Sequence, residues 1–375
     1  MKIVICTDRL RGDNGWSRYA VDLANALKKR NHEIICLVEQ FTPECELTQI
    51  QCFKDPLKYV SNPVLAFQTS LKVNKILAEI KPDIIQFTTE PYCTIVPFLK
   101  KRDYKIVLNA HSTFGYLPIL VKGVKRKFLE QYTKLINKKV DAIVALSRYT
   151  KEHVIKHMSS IGEYEKIKDK LELVGGAIDT KAFPPEYTEK NNNPKNILFV
   201  GAVKPRKGVI EAIESLAFVK TNFIYNIVGP FDEKNPYIGE IRNKIKNLKL
   251  ENKVNLLGRL SHEDLKNLYK KSDLFLMLST NNGADFEGYG LVYLEASNYG
   301  LPCIGPSDSG VADAIVDGKT GYLVDQYKPR EVAVKIDDIL SRGSISPKDC
   351  IAWAQKNSTE NQAIAFEHIY KKIRA

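Results

Sequence analysis

Short apolar segments alternate with amphipathic stretches almost throughout this chain. That alternation confines it to the α/β class with parallel sheets, since a strand needs a crossover helix before the next strand can run beside it in the same direction. Strands are predicted at residues 3–6, 34–38, 84–87, 106–109, 142–146 and 171–174, and a second series at 197–200, 225–228, 254–257, 274–278 and 302–304. Ala20, Leu23, Ala24 and Leu27 recur at i, i+3, i+4 and i+7 and place a helix between the first two strands. Further helices are expected at about 71–79, stopping before Pro82, and at 209–218 and 262–270. Pro184-Pro185 and the polar run through Asn191-Asn192-Asn193-Pro194 cannot continue a core element. The reading is therefore two Rossmann-like doubly wound domains, 1–183 and 196–347, joined by a linker at 184–195. The helical stretch 348–375 has no strand after it and is expected to pack back on the first domain. With 375 residues, 44% of them hydrophobic, the chain is long enough for two cores.

Composition removes several classes of function. The apolar run at residues 3–6 ends too early for a signal peptide, and no apolar stretch approaches the ~20 residues that span a bilayer. The seven cysteines are scattered without a C-x-x-C, so neither a zinc site nor a disulfide framework is indicated, and a reducing cytoplasm is the expected setting. Any membrane association would be peripheral, at the inner face. A net charge of +12 favours phosphate esters, nucleic acid or an anionic membrane. The basic residues are spread rather than striped and no aromatic-basic motif is present, so nucleic acid is not an expected partner; a basic nucleic-acid-binding protein is the rival reading from another class. Residues 100–139 hold eleven Lys or Arg against Asp103 and Glu130, interleaved with Leu117, Ile119, Leu120, Val121 and Phe128. This stretch reads either as a solvated helix face or as a dock for an anionic membrane or lipid-linked acceptor, each basic residue there adding about 1 kcal/mol.

Ligands of open parallel sheets bind beyond the carboxyl ends of the strands, so the loops after the strands carry the chemistry. The first loop, Asp8 to Trp16, contains Gly12 and Gly15 but does not match G-x-G-x-x-G, which argues against a dinucleotide cofactor. It reads equally as a plain turn or as a loop whose backbone approaches a phosphate or sugar at a helix N-terminus. His111 ends a strand and opens the loop Ser112-Thr113-Phe114-Gly115, in a position to hydrogen-bond a sugar hydroxyl or a developing charge; a structural histidine is the competing reading. After strand 197–200 come Lys204, Arg206 and Lys207, beside the positive end of a helix dipole, suited to a diphosphate leaving group. The most specific segment runs from Glu287 through Gly288 and Gly290 to Glu295, and becomes a helix ended by Gly300 and Pro302. Glycines at the helix entrance let backbone N–H groups reach phosphate oxygens, and a carboxylate one turn inside can accept both hydroxyls of a ribose. Glu287, just before the turn, is placed for hydroxyls of the group attached to the diphosphate. The D-G-K-T-G run at 317–321 reads as a turn between short strands.

Taken in order, Gly15, His111, the helix start at Ser147, the basic loop ending at Lys207-Gly208, Glu287-x7-Glu295 and Asp317 to Gly321 resemble the retaining glycosyltransferases of family 4, which have the GT-B fold of two Rossmann-like domains facing a cleft. The resemblance implies a nucleotide diphosphate sugar donor, UDP first and GDP second, transfer with retention to a hydroxyl of a glycan or lipid-linked acceptor, and neither metal nor cofactor. By the same resemblance Glu295 binds the ribose, Glu287 the donor sugar, and Lys207 with the N–H groups of Gly290 and Leu291 the diphosphate. His111 then faces the donor sugar and Gly15 lines the phosphate and acceptor side. Ala202 stands where the family has an arginine, and Arg206 is the candidate to replace it; Asn14-Gly15 stands where a glycine pair is usual, and Asp313 where glutamate is common. The rivals within the fold are a sugar-nucleotide epimerase and a phosphorylase, whose acid-base pair and lysine-bound pyridoxal phosphate are not visible.

Overall fold

Predominantly apolar strands are what a sheet covered on both faces requires, and in the computed structural model every residue of Ile84–Phe87 and Ala142–Ala145 is buried, the one polar side chain, Gln86, being bonded to Asn109 Oδ1. The structure describes the whole chain except residues 13, 61, 101–102, 112–122, 182–192 and 282–284. It forms two compact units, residues 1–176 with 359–375, and residues 177–358.

The first unit contains β1 (Lys2–Thr7), α1 (Gly15–Lys29), β2 (Glu33–Val38), β3 (Thr48–Gln51), α2 (Pro63–Ile80), β4 (Ile84–Phe87), β5 (Lys105–Ala110), α3 (Val124–Asn137), β6 (Ala142–Ala145), α4 (Arg148–Ser160), α5 (Tyr164–Ile167) and β7 (Leu171–Leu173). Its seven strands are ordered β3-β2-β1-β4-β5-β6-β7 and pair in parallel. The strand order reverses beside β1, and that switch point places the ends of β1 and β4 around one crevice. β3 was not predicted: it is an edge strand of sequence TQIQ, partly exposed and without an apolar run to mark it. α2 begins earlier than expected, because Asn62 caps it through Leu65 N and Pro63 suits the first helical position.

The second unit holds β8 (Lys195–Val200), α6 (Val209–Leu216), β9 (Phe223–Val228), α7 (Pro236–Asn247), β10 (Val254–Gly258), α8 (His262–Lys271), β11 (Leu274–Leu276), α9 (Leu291–Asn298), β12 (Cys303–Pro306), β13 (Gly321–Val324), α10 (Pro329–Arg342) and α11 (Pro347–Lys356). Six parallel strands run β10-β9-β8-β11-β12-β13. Asp317 to Gly321 closes on itself through an isolated bridge and leads into β13.

The stretch expected as one terminal element is two helices. α11 packs on α9 in the second unit, whereas α12 (Thr359–Arg374) lies on α1 in the first. α12 buries Ala363, Phe366 and Tyr370, and its Glu367 carboxylate accepts from Arg30 Nε at 2.7 Å and Nη2 at 2.9 Å. Those bonds hold the Glu367 carboxyl down at about 2, against a smaller upward push from burial. Most of the expected linker 184–195 lies outside the described residues; its last residue, Lys195, already belongs to β8. No helix among the described residues is long and apolar enough to cross a membrane.

Candidate active site

In the second unit the ends of β8, β9 and β11 approach one another as bare backbone. A Cβ on Gly229 would stand 1.8 Å from the Gly201 carbonyl oxygen, and one on Gly208 only 1.6 Å from that of Leu278. Gly208 also has φ +66°, the left-handed conformation that glycine adopts without cost, and it both ends the short turn Pro205–Lys207 and precedes α6. The turn is tied to the neighbouring loop by Thr280 N, which donates to Arg206 O at 2.8 Å. The result is a basic loop held rigidly at the carboxyl edge of the sheet.

Of its three cations, Lys204 is exposed, while the other two turn onto a single acceptor. Lys207 Nζ donates to Glu287 Oε2 at 2.5 Å and Arg206 Nη1 donates to the same oxygen at 2.9 Å; Arg206 Nε lies 3.1 Å from Asp285 Oδ1. Burial pushes the Glu287 carboxyl up, but Lys207 and Arg206 overcome it and hold the group below the ordinary carboxylate range. Side-chain exposures of 28% for Arg206, 17% for Lys207 and 14% for Glu287 place the pairs where solvent screening is reduced.

Gly290, at φ +84°, precedes α9 with no side-chain cap; Tyr293 N donates to Gly290 O at 3.0 Å, which leaves the N–H groups of Leu291 and Val292 for another acceptor. A Cβ on Gly290 would lie 2.7 Å from the Tyr293 ring, whose hydroxyl is fixed to Met277 O. Glu295 sits one turn into α9, and its Oε2 accepts from Tyr269 OH at 3.2 Å. The structure thus brings Arg206, Lys207 and Glu287 into direct contact, and sets Gly290, Leu291 and Glu295 along the helix that follows.

The other two expected residues belong to the first unit. Gly15 is the exposed first residue of α1, with open space around a built Cβ. The glycine that the first loop lacks is not needed, because Asn14 has an extended backbone (φ −141°) and caps α1 by accepting from Ser17 N at 2.8 Å, while its Nδ2 donates to Asp8 Oδ2 at 2.7 Å. One turn on, the Tyr19 ring meets the His111 imidazole edge-on, with centroids 4.7 Å apart. His111 directly follows β5, is 8% exposed, and donates its backbone N–H to Glu90 Oε2 at 3.2 Å, while its buried Nε2 has no partner among the described residues. The loop 112–115 beyond it, with Leu117, Ile119, Leu120, Val121 and the Phe128 side chain, lies outside the described residues.

Burial lowers the His111 imidazole to about 4, against an opposing hydrogen bond with the Thr88 backbone, so the ring is neutral near pH 7. The unfolded chain, with an ordinary value near 6.5, binds the proton more readily. The stability linked to this group is therefore complete above about pH 6.5 and is lost as the pH falls toward 4, by about 3 kcal/mol at most. His111→Gln should flatten that part of the curve of urea-unfolding stability against pH; an unchanged slope would mean that His111 is not the group responsible. Glu367 acts lower, between about 4.5 and 2.

Three residues of these surroundings carry no sequence signal. Glu90 is fully buried after β4, Asp285 reaches Arg206 from outside the Glu287 motif, and Tyr269 reads as an ordinary apolar position of α8. Among the described residues no group of three or more His, Cys, Asp or Glu could hold a metal ion.

Comparison with known proteins gives this arrangement a family. The family model described as Glycosyl transferases group 1 matches residues 181–357, and that of Glycosyltransferase Family 4 matches residues 13–181. The chain belongs to the family 4, group 1 glycosyltransferases. This glycosyltransferase is 26% identical, over 288 residues, to the GDP-mannose-dependent alpha-(1-6)-phosphatidylinositol monomannoside mannosyltransferase of Mycolicibacterium smegmatis, covering 72% of this chain and 70% of that one. Among solved structures it is similar to a glycosyltransferase from Rickettsia africae ESF-5, with a TM-score of 0.79 at 20% identity over 99% of this chain and 98% of that one. It is also similar to HepE of Anabaena in complex with UDP and glucose, with a TM-score of 0.75 at 17% identity over 99% and 100%. The fold of this glycosyltransferase is GT-B, and the enzyme transfers sugars.

Proposed function

We propose that the enzyme moves a sugar, with retention of anomeric configuration, from a nucleotide diphosphate donor to a hydroxyl of a glycan or lipid-linked acceptor. The observation that carries this reading is the convergence of Arg206 and Lys207 on one carboxylate oxygen beside the uncapped start of α9. Two cations that share one oxygen can equally share an oxygen of a diphosphate, and preorganised donors of this kind act where charge develops on the leaving group. In this reading Lys207 and Arg206 hold the diphosphate with the N–H groups of Gly290 and Leu291. Glu295 accepts the ribose hydroxyls. Once a phosphate takes its cations, Glu287 turns to hydroxyls of the donor sugar. His111, neutral and with an open Nε2, bonds a donor-sugar hydroxyl, while Gly15 gives the phosphate and acceptor a close approach to α1. The leaving phosphate itself takes the acceptor's proton, and no metal is required.

UDP is the first candidate for the nucleotide and GDP the second; the HepE complex with UDP supports one and the name of the mycobacterial relative the other. The basic stretch 100–139 is proposed to seat the acceptor at an anionic membrane surface, and flotation with anionic liposomes at low salt tests this. The donor reading is tested by thermal shift with UDP, GDP and ADP. The matching nucleotide, at about 100 times its dissociation constant, should stabilise the enzyme by roughly 2.7 kcal/mol. A flat response to all three would sink the proposal.

A further inference from the structure

In the second unit the buried hydroxyls of Tyr225, Tyr289 and Tyr293 donate to the main-chain carbonyls of Leu276, Asp313 and Met277, that of Tyr289 also lying 3.5 Å from Asn357 Oδ1. Tyr269 differs. It lies in the last turn of α8, fully buried, and donates at 3.2 Å to Oε2 of Glu295, a carboxylate that is only partly buried on another helix. Its ring cannot swing away, because it stacks on Tyr299 with centroids 5.2 Å apart and planes within 6°. Burial first, and then the charge of Glu295, raise the phenol far above its ordinary value, so it remains a donor at any working pH. Glu295 Oε1 has no partner among the described residues.

We infer that Tyr269 is the positioning residue of ribose recognition: its hydroxyl holds one oxygen of Glu295 so that the carboxylate keeps the orientation in which it accepts the two ribose hydroxyls. A glutamate in the middle of a two-turn helix has three rotatable bonds, and a fixed donor at one oxygen selects one of its rotamers before the ligand arrives. The inference rests on the assignment of Glu295 to the ribose, and its consequence is a specific one. Tyr269 does not touch the nucleotide, yet it governs discrimination between nucleotides with and without ribose hydroxyls, because a site built to hydrogen-bond a hydroxyl rejects the analogue lacking it only while its own polar group is held in place.

The test is calorimetric titration of the full chain with UDP and with 2′,3′-dideoxyuridine diphosphate, repeated with the GDP pair. Wild type should favour the ribonucleotide by about tenfold or more, and Tyr269→Phe should reduce that preference to within about threefold while leaving the dideoxy affinity unchanged. An undiminished preference in Tyr269→Phe overturns the inference. So does an equal fall in both affinities, which is what a merely structural tyrosine would give. Should Tyr269→Phe not fold, Glu295→Asp withdraws the carboxylate by one methylene from an intact phenol and must lose the preference likewise; a preference retained there overturns the inference too. A wild type indifferent to the ribose hydroxyls would instead overturn the assignment of Glu295 itself, a result distinguishable from the others.

Discussion

Lys207→Ala is expected to lower turnover about a hundredfold to a thousandfold, the effect typical of removing one preorganised donor from a developing negative charge. The fall should appear in kcat more than in KM, since the charge on the leaving diphosphate grows toward the transition state. Arg206→Ala should fall nearly as far. Its guanidinium is partly buried and shares Glu287 Oε2 with Lys207, the placement needed to supply what Ala202 cannot. Introducing Ala202→Arg into Arg206→Ala should restore part of the loss, because both positions would then serve the same phosphate. Steady-state kinetics with the donor identified by thermal shift reads all three. Turnover near wild type in Arg206→Ala would remove the substitution argument, and the same result in Lys207→Ala would remove the diphosphate site.

The second large effect is on folding. Gly208→Ala would put a methyl group 1.6 Å from the carbonyl oxygen of Leu278, a rigid backbone neighbour, at a left-handed φ of +66°. Neither the β11 loop nor the turn that carries Lys207 can yield without the other, because Thr280 N is bonded to Arg206 O. We expect a loss of at least 4 kcal/mol, on the order of the most damaging single substitutions, seen as a large fall in the unfolding midpoint or as insoluble protein. Gly15→Ala is the control: a Cβ there meets nothing within 4 Å, and the midpoint should hardly move. A stable, soluble Gly208→Ala would show that the two loops are not locked together.

How much of this was legible beforehand depends on where the information resides. The central strands were readable because burial on both faces demands apolar runs, continuous in Ala142–Ala145 and broken only by Gln86 in Ile84–Phe87. β3 was not, since an edge strand of sequence TQIQ is under no such demand. The cations at 206 and 207 and the two glutamates were visible as a pattern of residue types. That both cations meet on one oxygen of Glu287 was not, because it depends on the approach of the β8 and β11 loops, which the Leu278 carbonyl facing Gly208 determines. Tyr269 was hidden for a different reason. At an apolar position of an amphipathic helix a tyrosine reads as core, and nothing in the order of residues says that its hydroxyl reaches a carboxylate 26 positions away.

The terminal helix α12 also bears on how this protein is made. The first unit is built from residues 1–176 and 359–375, so the whole second unit is synthesised between the segments that complete it. The partners of Tyr370 and Glu367, namely Gln86, Arg30 and His32, leave the ribosome hundreds of residues before the helix that covers them. The second unit is contiguous and has all its residues first. Vectorial synthesis therefore completes the second unit's sequence before that of the first, against the usual order of N-terminal domain first. Until α12 emerges, the nascent first unit presents the apolar surface that Phe366 and Tyr370 will occupy.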